Sequence, residues 1–317
     1  MSPLPLGQAL ADYLRVRRAL GFKLDRAEHL LTQYVAYLHD HNVGTPTIED
    51  ALAWATLPAD ANPRWWAHRL SMARGFTAYL HARDPRVELV PPALLRSGPR
   101  QTIPYLYAPA DITALIKAAA TLPRPLGAAT YQTLIGLLAV TGMRVGEAIR
   151  LDRDDLDADH DGLLQVRDSK FGKSRLLPLH PTTVAALQAY LQIRDRLLPT
   201  PTSPALLLST VGTRLRYNSV WRTFHRLLGQ AHITARSPSC TPRIHDLRHS
   251  FAVATMLDWY ARGDDVQALL PRLSTYLGHT DPKHTYWYLQ AAPELLTLAA
   301  HRLDRPRPGA RARAGRP

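Results

Sequence analysis

The segment His245-Asp-Leu-Arg-His-Ser-Phe-Ala252 is the most informative part of this chain of 317 residues. It is followed by Leu277-Gly-His-Thr280 and, nine residues beyond His279, by Tyr288, and it is preceded by Thr141-Gly-Met-Arg-Val-Gly-Glu147. Arginine presents a planar fork of donors that fits phosphate oxygens. Histidine donates or accepts a proton near neutral pH, and tyrosine can form a covalent ester as a nucleophile. This combination of side chains indicates chemistry on a phosphodiester.

On these residues the chain resembles the tyrosine recombinases, the family of phage-integrase, Cre-like and Xer-like DNA recombinases. The family pattern is T-G-x-R-x-x-E, a hairpin lysine, H-x-x-R, L-G-H, and a tyrosine about nine residues after the last histidine. This sequence carries every element in order: Arg144 with Glu147, Lys170, His245 with Arg248, His279, and Tyr288. One short match is weak evidence, whereas an ordered set between about Tyr107 and Leu296 is strong.

The resemblance implies metal-free strand transfer without a cofactor. Tyr288 would attack the scissile phosphate, giving a 3′-phosphotyrosyl link and a free 5′ hydroxyl. Arg144 and Arg248 would hold the pentavalent phosphorane electrostatically. Because the phosphoester energy is kept in the tyrosyl bond, neither ATP nor a metal is expected.

The remaining site residues would handle protons and orientation. His245 and His279 are expected to hydrogen-bond the phosphate and to assist proton removal from the tyrosine, and Lys170 is expected to be the general acid. Glu147 shares a helix face with Arg144. We interpret this carboxylate as one that orients catalytic side chains rather than as an acid or base.

Neighbouring residues offer alternatives to two of these assignments. The segment Ser169-Lys-Phe-Gly-Lys173 is the predicted tip of a β-hairpin, and the family pattern selects its first lysine, leaving Lys173 as a phosphate contact or as the alternative catalytic lysine. Tyr286 would be turned about 200° from Tyr288 on a helix, and the spacing favours Tyr288. His249 is expected to be structural or to face solvent.

Composition points to an anionic partner. The formal net charge is +13, the pI is about 10.2, and 46% of the residues are hydrophobic. Such an excess of positive charge favours a polyanion, with double-stranded DNA as the simplest candidate. A lone cysteine, Cys240, rules out intrachain disulfides and a cysteine-based zinc site. No apolar run or signal segment is evident, so we expect a cytoplasmic protein and no membrane partner.

The fold class predicted is mainly α. Helical periodicity indicates four helices in residues 1–84, which the resemblance implies to be a helical DNA-binding (core-binding) domain, and five prolines mark 85–106 as a linker. Residues 107–303 are predicted to form a mixed α+β catalytic domain with a small antiparallel sheet, the tyrosine recombinase (DNA breaking-rejoining) fold. Residues 304–317 form a basic tail that we expect to be disordered.

Several basic residues lie off or at the edge of the apolar stripes, where a solvated face is the alternative to phosphate contact. The candidate DNA contacts are Lys23, Arg64, Arg69, Arg74, Lys173 and Arg175.

The resemblance also implies a homo-oligomer, a tetramer in the synaptic complex, that exchanges strands through a Holliday junction for a mobile element or replicon. Two alternatives stay open at this point. One is an enzyme like the type IB topoisomerases that relaxes any DNA, and the other is a DNA-binding protein with a degenerate site. The apolar segment 294–303 could pack on its own domain or on a neighbouring protomer.

Overall fold

The structure is a computed structural model that describes residues 5–95, 103–157, 162–167 and 174–278. The chain divides into two compact units, with the boundary between Gln101 and Thr102. Both units are built mainly from helices, and the second also contains a three-stranded antiparallel sheet. The predicted fold class is therefore confirmed.

The first unit contains the four predicted helices: α1 (Leu6–Ala19), α2 (Asp25–Asp40), α3 (Ile48–Thr56) and α4 (Pro63–His81). The start of α3 is fixed by a capping box, in which the Thr47 hydroxyl accepts from the Asp50 backbone N–H and the Asp50 carboxylate accepts from that of Thr47. Tyr34, Trp54 and Phe76 are buried in its core. Their helices close around one apolar centre, as the helical periodicity requires.

The proline-rich segment 85–106 contributes to both units. Val87 and Val90 are buried in the core of the first unit. On the other side of the boundary, Tyr105 is buried in the core of the second unit and the Ile103 N–H donates to a carbonyl there, at 3.0 Å. The ends of the predicted linker are thus held by packing.

The second unit contains seven α-helices within the described residues. They are α5 (Pro109–Ala120), α6 (Pro125–Thr141), α7 (Val145–Arg150), α8 (Pro181–Leu197), α9 (Tyr217–Gln230), α10 (Asp246–Arg262) and α11 (Val266–Leu277). Helix α6 is buried along most of its length and packs against α5, α8 and α10. It is the central helix of this unit, because apolar residues occur all round it.

The sheet lies between α7 and α8 in the chain. Its strands are β1 (Leu156–Asp157), β2 (Leu163–Val166) and β3 (Arg175–Pro178), ordered β1-β2-β3 with antiparallel pairing. Strands β2 and β3 form the predicted hairpin, and Val166 pairs with Arg175 at the end nearest its tip. Residues 168–173, which include both candidate lysines, lie outside the described residues.

Two glycines end the helices that meet at the candidate site. Gly142 closes α6 with φ of 59°, and Gly278 closes α11 with φ of 70°. Both angles lie in the left-handed region, which favours glycine. A Cβ atom at Gly142 would also overlap the Phe251 ring of α10. The absence of a side chain therefore lets the end of α6 approach α10 closely.

Candidate active site

Arg144, the first of the predicted catalytic residues, immediately precedes α7. After Gly142 turns the chain, Arg144 adopts an extended conformation as the N-cap residue, and its backbone N–H donates to Oε2 of Glu147 at 2.9 Å. Its guanidinium also donates to Oε1 of Glu147, at 2.8 Å. The carboxylate thus fixes both the backbone and the side chain of Arg144.

Glu147 holds a second arginine at the same time. Arg175 of β3 donates through Nη2 to Oε2 at 2.9 Å and through Nη1 to Oε1 at 3.3 Å. The Glu147 side chain is only 1% exposed. Burial alone would raise its pKa, but the hydrogen bonds and charges of Arg175 and Arg144 outweigh burial and lower the pKa to about 2. At neutral pH this carboxylate is an ionised bridge between two guanidiniums and cannot supply a proton.

Arg248 is buried near the start of α10 and connects two helix ends. Its Nη1 donates to the Gly142 carbonyl and its Nη2 to the Leu277 carbonyl, both at 2.8 Å. Two bonds in different directions fix the plane of a guanidinium. Arg248 is therefore oriented by the ends of α6 and α11, although its three-residue spacing from His245 reveals neither partner.

His245 immediately precedes α10. Burial among surrounding protein atoms, followed by the positive charges of Arg248, Arg243 and Arg144, lowers its pKa to about 4. The side chain keeps an exposed surface through which a phosphate can reach it. The imidazole is neutral at pH 7 and can accept or donate a hydrogen bond.

His249 lies one helical turn after His245. The two ring centroids are 5.0 Å apart with the rings at 89°, and Nε2 of His249 is 3.9 Å from the Asp246 carboxylate. Asp246 is fully buried and forms an ion pair with Arg243 at 2.7 Å. His249 therefore packs against the His245 ring and lies near the Asp246 carboxylate.

The structure brings together Arg144, Glu147, Arg175, His245 and Arg248 with the turn at Gly278. Four predicted site residues lie outside the described residues: Lys170, Lys173, His279 and Tyr288. The competing Tyr286, the apolar segment 294–303 and the tail 304–317 lie outside them as well. Within the described ranges, no group of His, Cys, Asp or Glu side chains has the arrangement of a metal site.

Two of the candidate DNA contacts have other partners. Arg69 is buried, donates to the Trp54 carbonyl at 2.7 Å, and places its guanidinium 3.9 Å from the centre of the Trp54 ring. Its long side chain turns inward from the edge of the apolar stripe, which helical spacing alone does not reveal. Arg175 is engaged by Glu147 and is only 11% exposed. Neither guanidinium is therefore available to a DNA phosphate in this structure, whereas Lys23 and Arg64 are exposed and Arg74 is half-buried.

Helix α9 carries an exposed face that the sequence reasoning missed. Tyr217 and Trp221 are exposed one turn apart, and the Trp221 ring lies 4.0 Å from that of His225. Arg222 and Arg226 are exposed beside them. The signal was the recurrence of aromatic and basic residues every four positions opposite a buried apolar stripe. Arginines and aromatic rings together suit a nucleic-acid surface.

No helix in the described part of the chain has both the length and the apolar character needed to cross a membrane.

Comparison with known proteins agrees with this fold. The model of the phage integrase family matches residues 107–294. "Putative integrase/recombinase y4rB" of Sinorhizobium fredii is 42% identical over 307 residues, covering 94% of this chain and 96% of that protein. "Tyrosine recombinase XerD" of Staphylococcus saprophyticus is 27% identical, covering 84% of this chain and 78% of its own length.

Among solved structures, the Tn1549 transposon integrase in complex with transposon right end DNA matches with a TM-score of 0.63 and 17% identity, covering 95% of this chain and 100% of that one. XerH recombinase bound to its difH substrate matches with a TM-score of 0.60, also at 17% identity, covering 95% of this chain and 85% of that one. These likenesses concern the fold.

The chain belongs to the phage integrase family. It is a tyrosine recombinase, an enzyme that cleaves and rejoins DNA strands. The family assignment and the activity predicted from the motifs are confirmed.

Proposed function

We propose that this enzyme recombines DNA at a pair of defined sites in the cytoplasm, for a mobile element or replicon, through a 3′-phosphotyrosyl intermediate formed by Tyr288. The observation that carries the proposal is the pair of guanidiniums of Arg144 and Arg248, fixed by the ends of α6 and α11 beside a neutral His245. Two oriented cations suit the charge that develops on phosphorus oxygens in the transition state.

The proposed reaction forms a bond from the Tyr288 phenolic oxygen to phosphorus and breaks the bond from phosphorus to the 5′ oxygen. The phenolic proton leaves with assistance from His245 or His279, and the departing 5′ oxygen takes a proton from Lys170. Glu147 stays ionised and holds Arg144. The reverse attack by a 5′ hydroxyl of the partner strand completes the exchange without an external energy source.

DNA is proposed to run along basic surfaces on each unit. In the first unit the candidates are Lys23, Arg64 and Arg74, and in the second they are Lys173 and the exposed face of α9. Salt-dependent phosphate contacts would supply most of the non-specific affinity.

The proposed assembly is a tetramer on two duplexes. A lambda integrase tetramer bound to a Holliday junction shares this fold, with a TM-score of 0.57 at 18% identity, covering 90% of this chain and 78% of that one. Each duplex would then carry two protomers, with strand exchange proceeding through a junction.

Covalent capture on nicked duplexes from the flanks of the enzyme's own gene tests the proposal. Tyr288→Phe should bind these duplexes and form no adduct, whereas the matched variant Tyr286→Phe should still form one. The wild-type adduct should form in EDTA without nucleotide and lie on the 3′ side of the nick. An adduct that persists in Tyr288→Phe, attachment at a 5′ end, or equal relaxation of any supercoiled DNA would each contradict the proposal.

A further inference from the structure

Three consecutive backbone carbonyls at the end of α11 each accept a hydrogen bond from a different arginine. The Tyr276 carbonyl accepts from Arg175 at 2.8 Å. The Leu277 carbonyl accepts from Arg248 at 2.8 Å, and the Gly278 carbonyl accepts from Arg144 at 3.2 Å. The last carbonyls of a helix have no partner within it and carry the negative end of its dipole. The end of α11 is therefore a common anchor for three guanidiniums.

Two of these arginines are already assigned to the phosphate, and Arg175 is the third. Its three guanidinium nitrogens all have partners: Nε donates to Tyr276, while Nη1 and Nη2 donate to Glu147. The guanidinium also lies against Gly278, where a Cβ atom would come within 2.9 Å of Nη1. A glycine is needed there both for its φ of 70° and for this close approach. Arg175 is therefore held on three sides.

Arg175 begins the strand that follows the segment carrying Lys170. It is the first residue of β3, and its pair with Val166 is the last described pair before the hairpin tip. Lys170 stands five residues earlier in the chain, in the segment that joins β2 to β3. Because this segment is attached to the chain at Arg167 and at Ser174, its placement depends on how the adjoining ends of the two strands are fixed.

We infer that Arg175 is a positioning residue that couples the hairpin carrying Lys170 to the arginine-bearing turn at the end of α11. The inference rests on the proposed function, in which Lys170 protonates the departing 5′ oxygen. Arg144 keeps its own bonds to Glu147 and Gly278, so the loss of Arg175 falls mainly on the hairpin. A lysine at position 175 keeps the charge but cannot reach three acceptors in different directions.

The test separates a positioning role from a purely structural ion pair. Cleavage of nicked half-sites is measured in single turnovers with two substrates, one normal and one with sulfur at the bridging 5′ position. A thiolate leaves without protonation because its conjugate acid is far stronger than an alcohol. Sulfur should therefore restore activity to any variant whose defect lies in the general acid, and to no variant that is merely misfolded.

On the normal substrate, Lys170→Ala should be about 100- to 10,000-fold slower than wild type, and Arg175→Lys roughly 100-fold slower. On the sulfur substrate both should recover to within about tenfold of wild type. The matched control is Arg167→Lys, at the same end of the hairpin as Arg175, where the arginine pairs with Asp155 at 2.6 Å instead of with the site. It should cleave both substrates at the wild-type rate.

The outcomes are distinguishable. If sulfur rescues Lys170→Ala while Arg175→Lys is equally slow on both substrates, the coupling is refuted and the proposed function stands. If sulfur does not rescue Lys170→Ala, the proposed general acid is wrong and the coupling falls with it. Thermal unfolding of Arg175→Lys and Arg175→Gln identifies a variant that has lost its fold, and Arg175→Gln, which keeps a hydrogen-bonding group, should show the same sulfur rescue.

Discussion

Replacing Glu147 with glutamine should destabilise the second unit, because the Glu147 carboxylate is buried and pairs with two arginines. The side chain is 1% exposed and accepts charged hydrogen bonds from Arg144 and Arg175. Its pKa falls from the ordinary 4.5 to about 2. Because a tenfold change in proton affinity is worth about 1.4 kcal/mol, the ionised form is stabilised in the folded state by about 3 kcal/mol.

Glu147→Gln keeps the shape of the side chain but leaves two guanidiniums facing an amide. We expect the free energy of unfolding at pH 7 to fall by about 3 kcal/mol, in the range for breaking a buried ion pair. For a unit of this size that is a decrease in Tm of roughly 6–12 °C. The matched control is Asp258→Asn in the same unit, whose partner is Arg262 at 2.7 Å and whose side chain is 61% exposed. It should lose no more than about 0.5 kcal/mol.

The pH dependence has a definite sign. A carboxylate whose folded-state pKa is depressed contributes stability above the unfolded value of 4.5, and that contribution is lost as the pH falls towards 2. The difference between wild type and Glu147→Gln, measured by urea unfolding at pH 7, 5 and 3, should therefore shrink at the lowest pH. A difference at pH 7 no larger than that of the control, or one that is independent of pH, would refute the reasoning.

Three further predictions concern other parts of the molecule. Arg69→Ala should lower the unfolding free energy by about 2–3 kcal/mol through loss of its buried hydrogen bond and its contact with Trp54. The exposed Arg64, replaced by alanine, should change stability by no more than about 1 kcal/mol and reduce the salt dependence of DNA binding; the reverse pattern in unfolding and gel-shift titrations would count against the assignment. The His245 imidazole, with its pKa lowered to about 4, should show no NMR titration from neutral pH down to about pH 5.5. Folded stability should fall as the pH drops below 6.5, because the unfolded state binds the proton more readily. An NMR titration midpoint for His245 above about pH 6 would contradict this. Deleting residues 292–317 should weaken two-protomer complexes more than one-protomer complexes in gel shifts, while removing only 304–317, with Arg305, Arg307, Arg311, Arg313 and Arg316, should lower general DNA affinity and flatten its salt dependence. An intact two-protomer complex after the longer deletion would contradict packing of the apolar segment 294–303 on a neighbouring protomer.

The features of this protein that depend on a few neighbouring residues could be predicted from its sequence. The capping box at Thr47, the end of α6 at Gly142 and the hairpin of β2 and β3 follow from short-range rules on hydroxyls, glycine and alternation. The motif spacing identified the family in the same way. Arg144 and Glu147 share one turn, so their ion pair could be anticipated from a separation of three residues.

The fate of the individual arginines could not be predicted from pattern. Arg69 and Arg64 lie five residues apart on α4 and both read as basic residues off the apolar stripe, yet the structure buries one against Trp54 and exposes the other. A guanidinium on a long, flexible stem can turn towards the core or towards solvent. Which way it turns depends on an acceptor and a ring contributed by α3, a different element of the chain.

By itself the sequence determined the class of fold and the family with its DNA cleavage and rejoining activity, and it predicts which residues carry that chemistry, because each depends on residue type and near-neighbour spacing. Only the tertiary structure decided that Arg144, Arg175 and Arg248 meet at three successive carbonyls of α11, with Glu147 between two of them. Those carbonyls lie 29 to 134 residues away from their donors. Backbone acceptors are present at every position of a sequence, so only the packing of α6, α7, β3 and α11 selects the ones that are used.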